Sequence, residues 1–208
     1  MIKKISFSLI FIIFIVMQAS ADTENDIDAA LKSLEDRCGN KDYLACYLSG
    51  VMYEEAMISE TTQKNDTEKY RDKAVRNYKK ACDNKIYESC VTLGNLYLEE
   101  RGSKFFKFYE IACRNNIGSG CSNLGYIYNV GLNKKISHKK ALLFYEKACD
   151  MNDAHGCYNL SVLYYNGGKG VARDYEKALR YAELACRLKY ENGCLNHKKM
   201  LDKGGLLK

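Results

Sequence analysis

No proline and no tryptophan occur among the 208 residues, and histidine appears three times, as His138, His155 and His197. Without proline, no position is barred from helix by a locked φ or a missing amide donor, so the chain is permissive for helix throughout. Three scattered histidines do not supply the clustered imidazoles of a metallohydrolase. An excess of one sign of charge is lacking as well. The net charge is +6, two of those charges (Lys3 and Lys4) lie in a segment expected to be removed, and no dense Lys/Arg run occurs. A nucleic-acid partner is therefore not expected.

Tyrosine and cysteine are abundant, at 17 and 10 residues. The cysteines form five C-x7-C pairs: Cys38/Cys46, Cys82/Cys90, Cys113/Cys121, Cys149/Cys157 and Cys186/Cys194. Their first members are 44, 31, 36 and 37 residues apart. A period of about 36 residues points to a helical solenoid. The clearest unit runs from Ala141 to Tyr164. Tyr145, Ala148 and Cys149 mark one side of a helix, and Cys157, Leu160, Ser161, Leu163 and Tyr164 mark one side of the next, at amphipathic spacing. The pattern reads as an αα-hairpin stapled across its turn.

The registers recur. Before the first cysteine stand Ala74/Tyr78/Ala81, Phe105/Tyr109/Ala112, Ala141/Tyr145/Ala148 and Ala178/Ala182/Ala185, with Tyr181 one place early in the last. After the second cysteine a small residue and a tyrosine follow, as Gly50/Tyr53, Gly94/Tyr97, Gly125/Tyr128 and Ser161/Tyr164. The small residue implies close helix approach, since a mid-helix glycine otherwise costs up to about 1 kcal/mol. The tyrosines are expected to bury their rings and bring their hydroxyls to the edge.

The N-terminus has the form of a signal peptide: Lys3 and Lys4, an apolar run from Ile5 to Met17, and Ala19-Ser20-Ala21 before the cut. In an exported chain the cysteines form a disulfide framework. Because each pair recurs at one spacing, local pairing satisfies every copy alike. Each ring should stabilise by roughly 2–3 kcal/mol in the chain-entropy model. C-x7-C is not zinc spacing, and no metal or cofactor is expected.

The expected boundaries are 1–21 for the signal peptide and 22–208 for one repeat domain. Within it, 22–45 form an N-terminal capping helix and turn, 46–193 four helical repeats, and 194–208 a C-terminal capping helix. An insertion around Ile58 to Asp66 lengthens the first connection, and the Tyr97-to-Phe105 connection is short. Such connections gather on one face of a solenoid.

These features resemble Sel-one-like repeats: A-x3-Y-x2-A-C, then C-x2-L-G-x-L-Y, joined by G-K-G-V-x-x-D-Y, clearest over Gly167 to Cys194. With a C-x7-C in every unit, the chain looks like the Helicobacter cysteine-rich protein family. The resemblance implies an all-α, right-handed superhelical solenoid of αα-hairpins related to tetratricopeptide arrays. It also implies a family commonly labelled β-lactamase because some members bind penicillins, with others thought to act on host cells.

The residues themselves show little chemistry. Ser137-His-Lys-Lys140 fits S-x-x-K, but neither S-D-N nor K-T-G occurs. Ser137 aligns with Asp174, twelve residues before the first cysteine of each pair, and both suit helix N-caps. Glu54/Glu55 and Glu99/Glu100 are sequence neighbours that should point apart into solvent. Asn65 and Asn159 open N-x-S/T triplets, the second inside a repeat helix. Two functions follow: a secreted or periplasmic scaffold holding a protein or peptide on its inner surface, or a β-lactam-binding or hydrolysing enzyme resting on the family label.

Overall fold

The computed structural model describes residues 23–58, 64–99 and 103–204. The expected signal peptide, most of the insertion (59–63) and residues 205–208 lie outside the described residues. Among those described are ten α-helices: α1 Thr23–Gly39, α2 Tyr43–Ile58, α3 Lys64–Asp83, α4 Glu88–Glu99, α5 Phe105–Arg114, α6 Gly118–Val130, α7 His138–Asp150, α8 Ala154–Asn166, α9 Tyr175–Arg187 and α10 Glu191–Gly204. The chain is all-α. It falls into two compact units whose boundary lies within α3, between Ala74 and Val75.

Five short turns join α1 to α2, α3 to α4, α5 to α6, α7 to α8 and α9 to α10, and a disulfide crosses each. The turns share one backbone solution. The third residue after the first cysteine is left-handed every time: Lys41, Lys85, Asn116, Asn152 and Lys189, with φ between 59° and 72°. The next N–H returns to the carbonyl just before that cysteine, as in Ile86 to Ala81 and Asp153 to Ala148. This is a Schellman closure, normally built on glycine and here on lysine or asparagine.

Within the first unit, Tyr53 is buried and its ring stacks on Tyr70 with centroids 5.8 Å apart. Within the second, successive helices from α4 to α10 pack in chain order. The post-turn helices α4, α6, α8 and α10 also touch one another in succession. Cys121, Leu124 and Ile127 of α6 share one cluster with Phe105 and Tyr109 of α5; Leu160 and Leu163 of α8 share another with Tyr145 and Ala178.

The close approach expected at the small residue is made by a ring rather than by a second backbone. A Cβ on Gly94 would lie 2.6 Å from the Tyr109 ring, and one on Gly125 would lie 2.5 Å from the Tyr145 ring. In the last copy the residue four before the first cysteine, where Tyr109 and Tyr145 stand in the others, is Ala182. The space left there admits Ser161, whose Oγ donates to the Ala178 carbonyl at 2.8 Å. Glycine faces tyrosine, and in register serine goes with alanine, so the larger residue of one helix is matched by the smaller of the other.

Tyr181 is not a displaced core tyrosine. It stands five residues before Cys186, as Phe108 and Phe144 stand before Cys113 and Cys149. All three stack on the tyrosine of the preceding helix: Phe108 on Tyr97, Phe144 on Tyr128 and Tyr181 on Tyr164, at 5.5, 5.7 and 5.9 Å.

The connections vary as the spacings suggested. α5 has 10 residues, against 13 in α7 and α9. Between α8 and α9 the chain makes a Gly168–Val171 bridge, and the Lys169 N–H donates to His138 Nδ1 at 2.9 Å, tying that connection to the start of α7.

Candidate functional site

All ten cysteines are engaged in five bridges, Cys38–Cys46, Cys82–Cys90, Cys113–Cys121, Cys149–Cys157 and Cys186–Cys194. Each joins the end of one helix to the start of the next, with Cα atoms 4.4 to 5.0 Å apart. No thiolate is left to act as a nucleophile.

The bridges staple each turn as expected, and eight of the ten cysteines are also buried in the core; Cys186 and Cys194 are partly exposed. Cys46 and Cys90 are fully buried and rank with the largest side chains closed off from solvent. The second cysteine sits in the first turn of the post-turn helix, on the face that packs inward: Cys46 beside Ala45 and Ser49, Cys90 beside Ser89 and Leu93. The Cys46 sulfur lies 3.7 Å from the Cys38 carbonyl oxygen. No ligand could reach Cys46 or Cys90 without opening the hairpin, so their role is packing and covalent closure together.

Among the described residues no group of three or more His, Cys, Asp or Glu is placed to hold a metal ion. No described helix is long and apolar enough to cross a membrane.

Ser137 caps α7. Its Oγ accepts from the Lys140 N–H at 3.4 Å, and Asp174 caps α9 in the same way from the Lys177 N–H at 2.9 Å. Two further caps were not anticipated from the sequence. Asp153 accepts from the Gly156 N–H at 2.7 Å, and Asp42 from the Ala45 N–H at 3.1 Å. That amide, followed by the Arg37 guanidinium, holds the Asp42 carboxyl below its ordinary range. The Lys140 ammonium is 4.9 Å from the centre of the Tyr128 ring.

Lys140 is one of four. Lys73, Lys104, Lys140 and Lys177 each stand nine residues before a first cysteine. Each places its ammonium over a tyrosine, respectively Tyr53, Tyr97, Tyr128 and Tyr164, at 4.8 to 5.3 Å. The hydroxyls of two of these tyrosines meet a glutamate: Tyr53 donates to Glu35 at 2.5 Å and Tyr164 to Glu146 at 3.1 Å. Burial, then the Glu146 hydrogen bond, pushes the Tyr164 hydroxyl up to about 12. In the Tyr53 and Tyr164 copies the tyrosine is thus an internal tie, with a lysine over its ring and a glutamate at its hydroxyl. Glu55 is exposed, as the sequence suggests, and desolvation, then Glu54, raises its carboxyl.

The face left open in the second unit is amide-rich. Asn123 on α6, Asn159 on α8 and Asn196 on α10 each stand two residues after the second cysteine, and all three are partly exposed. Asn95 on α4 lies three residues further along that register. It accepts from the Tyr109 hydroxyl at 2.7 Å and from Asn123 Nδ2 at 3.5 Å. Tyr126 stands exposed at the position equivalent to Asn95. As a glycan triplet Asn159 gives no hint of this series; its distance from the second cysteine does. Asn65 falls in the first turn of α3, where its side chain lies outside the description. A separate cavity of about 280 Å³ lies between α5 and the α6–α7 connection, lined by Phe106, Lys107, Glu110, Leu132 and Lys134 among others.

The Sel1 repeat family model matches residues 44–85, 118–153 and 154–190. Cysteine-rich protein B of Helicobacter pylori is 34% identical over 65% of this chain and 98% of its own, with a TM-score of 0.50. A Sel1 repeat protein from Oxalobacter formigenes is 21% identical over 76% of this chain, with a TM-score of 0.64. A protective antigen of uropathogenic Escherichia coli strains with an SLR fold is 22% identical over 83%, with a TM-score of 0.71. The chain covers 63% and 36% of the lengths of these last two. No curated protein matches the chain by sequence.

Proposed function

The chain belongs to the Sel1 repeat family, and from that premise we propose that it is an exported scaffold holding an extended peptide or protein segment across α4, α6, α8 and α10. The observation that carries this reading is the register of Asn123, Asn159 and Asn196 on successive, touching helices. Each side-chain amide offers a donor and an acceptor, the complement of a peptide group. Repeating the amide once per hairpin suits an extended backbone rather than one compact ligand. Five disulfides fit an oxidising compartment, periplasmic or extracellular, and a host-facing partner is consistent with export. Residues 22–45 and 194–208 would cap the two ends.

β-Lactam hydrolysis has no comparable support. Ser137 is engaged as a helix cap and the Lys140 ammonium lies over an aromatic ring.

The test is affinity capture from envelope and extracellular proteins, with mature chain and an Asn123→Ala/Asn159→Ala/Asn196→Ala variant of matched melting temperature. A partner retained by the first and lost by the second is expected. Equal capture by both would remove the amide face as the binding surface.

A further inference from the structure

Two copies of the repeat give the tyrosine one ammonium and one carboxylate. In the first, Lys73 Nζ is 2.8 Å from the Tyr53 hydroxyl and 3.7 Å from Glu35. In the other, Glu146 accepts from Tyr164 and Lys177 lies over its ring. Both glutamates stand three residues before a first cysteine. The copy built on Tyr97 breaks the rule. Three residues before Cys82 stands Lys79, at the register where Glu35 meets Tyr53 and Glu146 meets Tyr164. Lys104 Nζ is 5.3 Å from the centre of the same ring. Both lysines are exposed and Tyr97 is partly so.

We propose that Lys79, Tyr97 and Lys104 form an open carboxylate position that takes an acidic side chain from the bound peptide or protein. In the Tyr53 and Tyr164 copies a glutamate of the chain itself accepts from the tyrosine; here that acceptor is replaced by a second cation. The group that fits is therefore an anion of carboxylate geometry, receiving from the phenol and from two ammonium groups. Asp83 holds Lys79 at 2.7 Å, but both side chains are more than half exposed. A pair so solvated exchanges readily with an incoming carboxylate. Occupancy would select partners with acidic side chains, a contribution to specificity more than to total affinity. This step rests on the scaffold reading for the nature of the partner, although not for the anion chemistry.

The experiment is NMR titration of the mature protein with a blocked oligoglutamate peptide, and with oligoglutamine as the neutral control, at constant ionic strength. Lys79 and Lys104 side-chain signals and the Tyr97 ring should shift saturably with oligoglutamate and stay still with oligoglutamine. Lys79→Glu restores the arrangement of the Tyr53 and Tyr164 copies and should weaken binding by about tenfold or more, equivalent to about 1.4 kcal/mol. Equal shifts at Lys140 and Lys177, or unchanged binding by the Lys79→Glu variant, would overturn the proposal. Shifts at the amides of Asn123, Asn159 and Asn196 without any at Lys79 would also overturn it, while leaving the scaffold reading intact.

Discussion

Ser137 and Lys140 stand three residues apart at the start of α7, and the backbone decides what each does. Ser137→Ala should cost about 0.5–2 kcal/mol through loss of the cap, and Ser137→Asp should recover it, because a carboxylate also suits the positive helix end. Thermal unfolding of the two variants checks both. Lys140→Ala would be neutral for a merely exposed lysine. Its ammonium sits over Tyr128, so the expected loss is instead about 0.5–1 kcal/mol. Asp42 predicts the acid limb. Its carboxyl lies below 3.8 in the folded chain, so the stability it adds is full above that value and is lost as the pH falls through the lower folded value. Asp42→Asn should flatten that part of the stability–pH curve. At the other extreme, burial raises the Tyr109 and Tyr164 hydroxyls to about 12. Their contribution is complete below the ordinary tyrosine value of 10 and is lost as the pH climbs toward 12. Phenolate absorbance during alkaline titration should show tyrosines that ionise only with unfolding.

At the scale of helices and turns, the hairpins depend on volume pairs and on one left-handed residue each. Gly125→Ser forces an Oγ and a Cβ into the Tyr145 ring and should cost about 1–3 kcal/mol. Combined with Tyr145→Ala it reproduces the Ser161/Ala182 pair, so the double variant should lose less than the two single losses added. A strictly additive cycle would break the pairing account. Lys189 holds φ at 64°, where glycine has no Cβ penalty. Lys189→Gly should therefore stabilise the last hairpin by up to about 1 kcal/mol, measurable by denaturant melts. Helix ends were legible in the sequence because the C-x7-C spacing brackets each turn. The left-handed residue was not, since lysine and asparagine carry no such signal by themselves.

For the molecule as a whole, the five bridges act locally, each closing a ring within one hairpin. Replacing both Cys149 and Cys157 by alanine should lower stability by roughly 2–3 kcal/mol. Because repeat contacts are nearest-neighbour, the other hairpins should keep their hydrogen-exchange protection. The burial of Cys46 and Cys90 adds a kinetic expectation. Under mild reductant without denaturant these sulfurs should react only through opening of their hairpins, so thiol labelling should follow local unfolding rather than reductant concentration. Non-reducing peptide mapping should return five local pairs, and a bridge joining different units would contradict the repeat register.

Spacing and pattern along the chain were enough to read the repeat, the helix pairs, the disulfide register, the caps at Ser137 and Asp174, and the inward face of the tyrosines. Those depend on chain-local quantities: spacing, helical period and the reach of a side chain along its own turn. What meets across helices was set by the packing alone. It set Tyr181 against Tyr164, placed a lysine over each of four tyrosines, closed Cys46 and Cys90 off from solvent, faced Gly94 with a ring, bonded Ser161 to the Ala178 carbonyl, and left the amides of α6, α8 and α10 partly exposed on one face. Such contacts join residues of different helices. Which side chains meet depends on how those helices rotate and cross, a quantity the helical period alone does not contain.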